Sequence, residues 1–93
     1  MNRDIVWTGQ FKKDYKLSIK RGLNIDALDD IIRMLAKGEP LPKELDDHQL
    51  SGNWKGYREC HIEPDWLLIY RIEKNVLVLT LVRTGTHSDL FGK

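Results

Sequence analysis

Three histidines, His48, His61 and His87, lie in the second half of a 93-residue chain, each beside turn or loop residues rather than inside an apolar run. Reactive side chains are often mounted at such places. With them stand a carboxylate, Asp65, a guanidinium, Arg83, and two aromatics, Trp66 and Phe91. Imidazoles, a carboxylate and a guanidinium without a serine or cysteine nucleophile suit a reaction whose nucleophile belongs to the substrate. Cleavage of RNA is such a reaction. Its 2′-hydroxyl attacks the adjacent phosphate, and the protein need only take one proton, give another and steady the charge on the phosphorane. Histidine titrates near neutrality, and one positioned acid or base contributes on the order of 10²- to 10⁴-fold. Arginine's planar fork fits phosphate oxygens. Asp65 is placed to set the tautomer or protonation of a neighbouring imidazole, and Trp66 and Phe91 to stack unpaired bases at roughly 1 to 3 kcal/mol each. Zinc is the rival chemistry, but the His spacings of 13 and 26 residues match no compact ligand motif.

The elements that must bring these residues together read as β-α-α-β-β-β. "DIVW" (4–7) is a short strand that ends at Thr8, a helix cap. In the helix that follows, Phe11, Tyr15 and Ile19 form an apolar stripe, while Lys12, Lys16 and Lys20, with Lys13 and Arg21 beside them, form a wet one. Gly22 stops it. Asn24 caps a second helix whose buried face is Leu28, Ile31, Ile32 and Leu35. Residues 37–53 read as a long ordered loop. "WKGYRECHI", "WLLIYRIE" and "VLVLTLVR" form an antiparallel meander, with turns at Pro64-Asp65 and Lys74-Asn75. The last strand is apolar on both faces, as befits a central strand, so "DIVW" is expected to pair with its free side. The result is an α+β fold: a small antiparallel sheet of four strands, one face covered by a helix hairpin and the other open.

In that meander the end of the third strand returns to the side where the first strand ends. His61, Asp65, Trp66, Arg83 and His87 are thereby gathered, and the long loop can add His48. Trp54 and Tyr57 are expected to serve the core or strand pairing, Arg58 and Arg71 to be solvated, and Cys60 to act as a small buried hydrophobe. Phe91 has two possible tasks, stacking a base or pinning the tail.

Composition limits the alternatives. The length suits one domain, residues 1–93. A lone cysteine excludes an internal disulfide, the N-terminal "MNRDIVWTGQ" has no apolar stretch of signal-peptide length, and no apolar run approaches the roughly 20 residues that span a bilayer. A cytoplasmic protein is expected. Net charge is +1, but residues 1–22 hold six basic and two acidic side chains and residues 23–50 three basic and seven acidic. The basic first helix can meet a polyanion locally.

Two stretches carry a family resemblance: "DDHQLSGNWKGYRECHIEPDWLLIYRIE" and the closing "LVRTGTHSDLFG". Together they closely resemble the YafQ branch of the RelE/ParE superfamily of bacterial type II toxins, and "RDIVWTGQFKKDYKLSIKRG" resembles that branch's first strand and helix. The resemblance covers essentially the whole chain. It implies a RelE-like fold and an endoribonuclease that cuts messenger RNA in the A site of the 70S ribosome without metal or other cofactor, held inactive by a cognate antitoxin of DinJ/RelB type. It implies a site of His48, His61, Asp65, Trp66, Arg83, His87 and Phe91. His87 would lead as general acid or base, with His61 and Asp65 next and Arg83 on the scissile phosphate. His48, Trp66 and Phe91 would position or stack the message. Lys12, Lys13, Lys16 and Lys20 would face ribosomal RNA. The alternative is a non-catalytic toxin on the same fold that binds a protein target such as gyrase.

Overall fold

The computed structural model describes residues 3–73 and 78–92. Strand β1 (Asp4–Trp7) leads into helix α1 (Gly9–Lys20), where the Thr8 hydroxyl accepts from the Phe11 N–H at 3.0 Å. Gly22, at φ +73°, makes the left-handed turn that ends this helix. Asn24 then caps helix α2 (Ile25–Lys37) by accepting from the Ala27 N–H. A loop carries the two-residue strand β2 (His48–Gln49), and β3 (Arg58–Glu63), β4 (Trp66–Glu73) and β5 (Val78–Gly85) follow as the meander. The chain closes on a five-residue helix, α3 (His87–Phe91).

The α+β class and the expected element order hold, and β5 is an interior strand. The sheet, however, has five strands in the order β1-β5-β4-β3-β2, and it is mixed: β1 runs parallel to β5. The fifth strand comes from the loop, where His48 pairs with Glu59 and Gln49 with Arg58. The first meander strand starts at Arg58 rather than Trp54, because Gly52–Trp54 coil into a 3₁₀ turn. The expected turn at Lys74-Asn75 lies outside the described residues.

The hairpin covers one face of the sheet. Phe11, Leu28, Ile31, Ile32 and Leu35 pack with Cys60, Trp66, Leu68, Tyr70, Leu79 and Leu81, all buried. Burying each large apolar side chain stabilises the fold by about 1.5 to 3 kcal/mol. Burial also pushes the Cys60 thiol up to about 12, so it stays a neutral hydrophobe. The expected stripe on α1 is only partly right. Ile19 is 53% exposed, and the helix buries Phe11, Asp14 and Ser18 instead. The reason lies at the sheet edge. β1 pairs with β5 only as far as Leu81, so the N–H of Thr84 needs another acceptor. Asp14 supplies it, at 3.2 Å.

The second face is not open. Leu67, Ile69 and Leu90 form a smaller apolar cluster, with Leu50, Trp54, Tyr57, Val82 and Phe91 packed against it. The loop before β3 and helix α3 fold over this face. None of the helices among the described residues is long and apolar enough to cross a membrane.

Candidate active site

Strand pairing assembles the site. His61 lies opposite Leu67, which lies opposite Gly85, so the ends of β3 and β5 share one end of the sheet. Glu59 and His61, two residues apart, share a face, and pairing with β2 brings His48 to the same face beside Glu59. A bulge between His61 and Glu63 bends β3 where it leaves the sheet. Thr86 caps α3 and delivers His87 as its first residue.

The three imidazoles meet. The His48 and His61 rings stack with centroids 6.3 Å apart, His61 and His87 lie 5.8 Å apart, and Phe91 follows His87 at 6.5 Å. Asp65, at the turn between β3 and β4, addresses His87 and not His61: its Oδ1 accepts the His87 backbone N–H at 3.0 Å and lies 2.6 Å from ring Nδ1. These two bonds hold the Asp65 carboxyl below the usual range, the backbone N–H contributing most. A neutral His87 therefore carries its proton on Nδ1 and leaves Nε2 as the nitrogen able to accept a proton. His61 is more enclosed, and its Nδ1 is buried without a hydrogen-bond partner.

Two carboxylates that the sequence reading did not place in the site belong to it. Glu59 is 5% exposed, and its Oε1 stands 3.6 Å from His61 Nε2 and 3.8 Å from His48 Nε2. These are ion-pair separations, too long for direct hydrogen bonds. The signal was available: two residues before His61 in a strand is the same face. Asp46 sits 3.9 Å from Nδ1 of both His48 and His61, and its backbone carbonyl lies 2.7 Å from His48 Nδ1. This loop is anchored from below. Asp47 accepts from the buried Tyr70 hydroxyl at 2.5 Å and from Arg58 Nε at 3.2 Å, so Arg58 is not a solvated charge. Burial, then the Asp47 bond, raises the Tyr70 phenol and keeps it a donor.

Two expected members stand differently. Trp66 is 2% exposed and belongs to the core beneath the hairpin, so it has no free face on which to stack a base. Arg83 turns to α1, where Nε and Nη2 form a fork to Asp14 at 3.0 and 3.1 Å. Only Nη1 is outside that fork. Phe91 is half-buried and meets Trp54 edge to face at 5.8 Å, which ties the tail down while leaving part of its ring beside His87. Trp54 and Tyr57 serve the second cluster, as expected. Lys12, Lys13, Lys16 and Lys20 are all exposed on α1. For a metal, Glu59, His61 and His87 offer ligand atoms within 4.8 Å of one another.

The YafQ family model, described as a bacterial toxin of type II toxin-antitoxin systems, matches residues 3–92. The chain is 45% identical to the mRNA interferase toxin YafQ of Escherichia coli K12, over 99% of both chains. Its fold overlays the toxin of the E. coli DinJ-YafQ toxin-antitoxin complex with a TM-score of 0.90 at 45% identity, covering 99% of this chain and 100% of that one. A metal-bound toxin from Helicobacter pylori gives a TM-score of 0.90 at 42% identity, covering 98% and 100%. The chain belongs to the YafQ family of bacterial type II toxins.

Proposed function

We propose that this YafQ-family toxin is an mRNA interferase that cuts messenger RNA in the ribosomal A site by metal-independent acid-base chemistry, and that a DinJ-like antitoxin restrains it. The endoribonuclease class follows the family and the 45%-identical E. coli interferase. The chemistry rests above all on one observation: His48, His61 and His87 form a contiguous set, with His87 held in a defined tautomer by Asp65.

In the reaction, one imidazole removes the proton of the ribose 2′-hydroxyl. The 2′-oxygen then forms a bond to phosphorus, the bond from phosphorus to the 5′-oxygen breaks, and a second imidazole protonates that oxygen. The products are a 2′,3′-cyclic phosphate and a 5′-hydroxyl. His87 and His61 are the proton carriers, their ring centroids 5.8 Å apart and so within reach of two oxygens of one phosphodiester. Asp65 fixes His87, and Glu59 places a buried negative charge beside His61 and His48. His48 and Phe91 border the site and would hold the nucleotide, while Arg83 offers Nη1 to the phosphate. The exposed lysines of α1 would meet ribosomal RNA, whose phosphates favour clustered cations.

The Glu59, His61 and His87 group supports a second reading, in which a bound ion takes part. One experiment addresses both. Toxin dialysed against EDTA and then desalted is added to ribosomes programmed with a defined message, and to the same message free in solution. The proposed function requires cleavage at the A-site codon on the ribosome, none on free message, and the same rate with untreated toxin. Activity lost on dialysis and restored by zinc or copper would favour the ion. Intact message together with inhibited gyrase supercoiling would favour the protein-binding alternative.

A further inference from the structure

We infer that Arg21 and Asp89 are positioning residues for His87, the ion pair between the end of α1 and the first turn of α3 fixing where the imidazole meets its substrate. The inference rests on the ribonuclease reading above. Helix α3 has five residues, too few to hold itself, and His87 is its first. Its shape depends on Asp89. Oδ2 of that carboxylate accepts the Thr86 N–H at 3.0 Å, while the Thr86 hydroxyl accepts the Asp89 N–H at 3.0 Å, closing a reciprocal cap around His87. The same Oδ2 accepts from Arg21 Nη1 at 2.7 Å, and Oδ1 lies 3.5 Å from Nη2.

Two further observations tie this contact to geometry. A methyl group at Gly85 would sit 3.0 Å from Cβ and Oδ2 of Asp89, so the end of β5 and the first turn of α3 approach closely, and a larger residue there would press on Asp89. Asp14, seven residues before Arg21 and hence on the same side of α1, forms the fork to Arg83. Helix α1 thus grips the strand before His87 and the helix that contains it. Asp65 holds His87 from the other side. Exposed ion pairs add little to stability. The Arg21–Asp89 pair is therefore placed to act on the site more than on the fold. It also links the helix that bears Lys12, Lys13, Lys16 and Lys20 to the proposed proton carrier.

Arg21→Gln keeps the side chain's stem and removes the charge. Single-turnover cleavage on programmed ribosomes should slow on the order of tenfold to a hundredfold, the loss expected from misplacing a reacting group. KM should stay within about twofold and the melting temperature within a few degrees, and Arg21→Lys should recover much of the rate. In the free toxin, the His87 imidazole resonances should move in Arg21→Gln and return toward wild type in Arg21→Lys. An unchanged rate, or a loss confined to KM, would overturn the inference, the latter making Arg21 another ribosome contact. A slower rate with unmoved His87 resonances would overturn it too. If the wild type cuts no message, the ribonuclease reading fails by itself, and the His87 resonances still decide whether Arg21 positions the ring.

Discussion

One oxygen of Asp65 accepts the backbone N–H of His87 and, 2.6 Å away, meets Nδ1 of the same residue's ring. Two contacts from a single carboxylate fix both the start of α3 and the tautomer of its first side chain. Asp65→Asn keeps the shape and an oxygen able to accept both bonds, but removes the negative charge that favours a protonated His87 ring. Cleavage on programmed ribosomes should fall on the order of 10²-fold or more, within the range associated with a positioned acid or base. Near-normal cleavage by a folded Asp65→Asn toxin would remove Asp65 from the mechanism.

The Tyr70 hydroxyl holds the loop that carries Asp46 and His48 through Asp47, from a position 1% exposed. Tyr70→Phe leaves Asp47 to Arg58 alone. A lost hydrogen bond to a charged partner costs about 1.5 to 3 kcal/mol, so denaturant unfolding should show a loss of that size. A change under about 0.5 kcal/mol would mean that Asp47 finds a replacement donor.

Asp89 carries an acid dependence. The Arg21 bond, followed by the Thr86 N–H, lowers its carboxyl from 3.8 to about 2. A folded-state pKa below the unfolded one favours the folded chain above the unfolded value, and this contribution disappears as pH falls toward the folded value. The share of stability due to Asp89 should therefore be complete above about pH 5 and shrink between about pH 4 and pH 2. Thermal unfolding of wild type and Asp89→Asn should converge across that window. Parallel curves would show that the carboxylate contributes nothing as an anion.

Much of this architecture is legible in local signals. Thr8 and Asn24 cap the helices they precede, the apolar spacing of α2 marks its buried face, and β4 has the bounds its residues suggest. Meander topology is enough to gather His61 and His87, while His48 comes in with the long loop as strand β2. Helix α3 also had a local sign, the Thr86-His87-Ser88-Asp89 cap, obscured by its shortness. Other features depend on distant partners. Asp14 and Arg83 are 69 residues apart, and nothing near either announces that the guanidinium turns toward α1. Trp66 follows a turn in sequence but enters the sheet where α1 and α2 cover it, so its burial is a property of packing. Glu59 joins the site only because β2 pairs beside it and brings His48 to its carboxylate.

The central claim is that His87 carries a proton in the cleavage of ribosome-bound message. It is tested most directly by single-turnover cleavage of a defined A-site codon by wild type and by His87→Ala, at saturating toxin and with the fold of both verified by thermal unfolding. The account predicts that His87→Ala remains folded, still occupies the ribosome, and cuts on the order of 10²- to 10⁴-fold more slowly. Equal rates from the two proteins would contradict it.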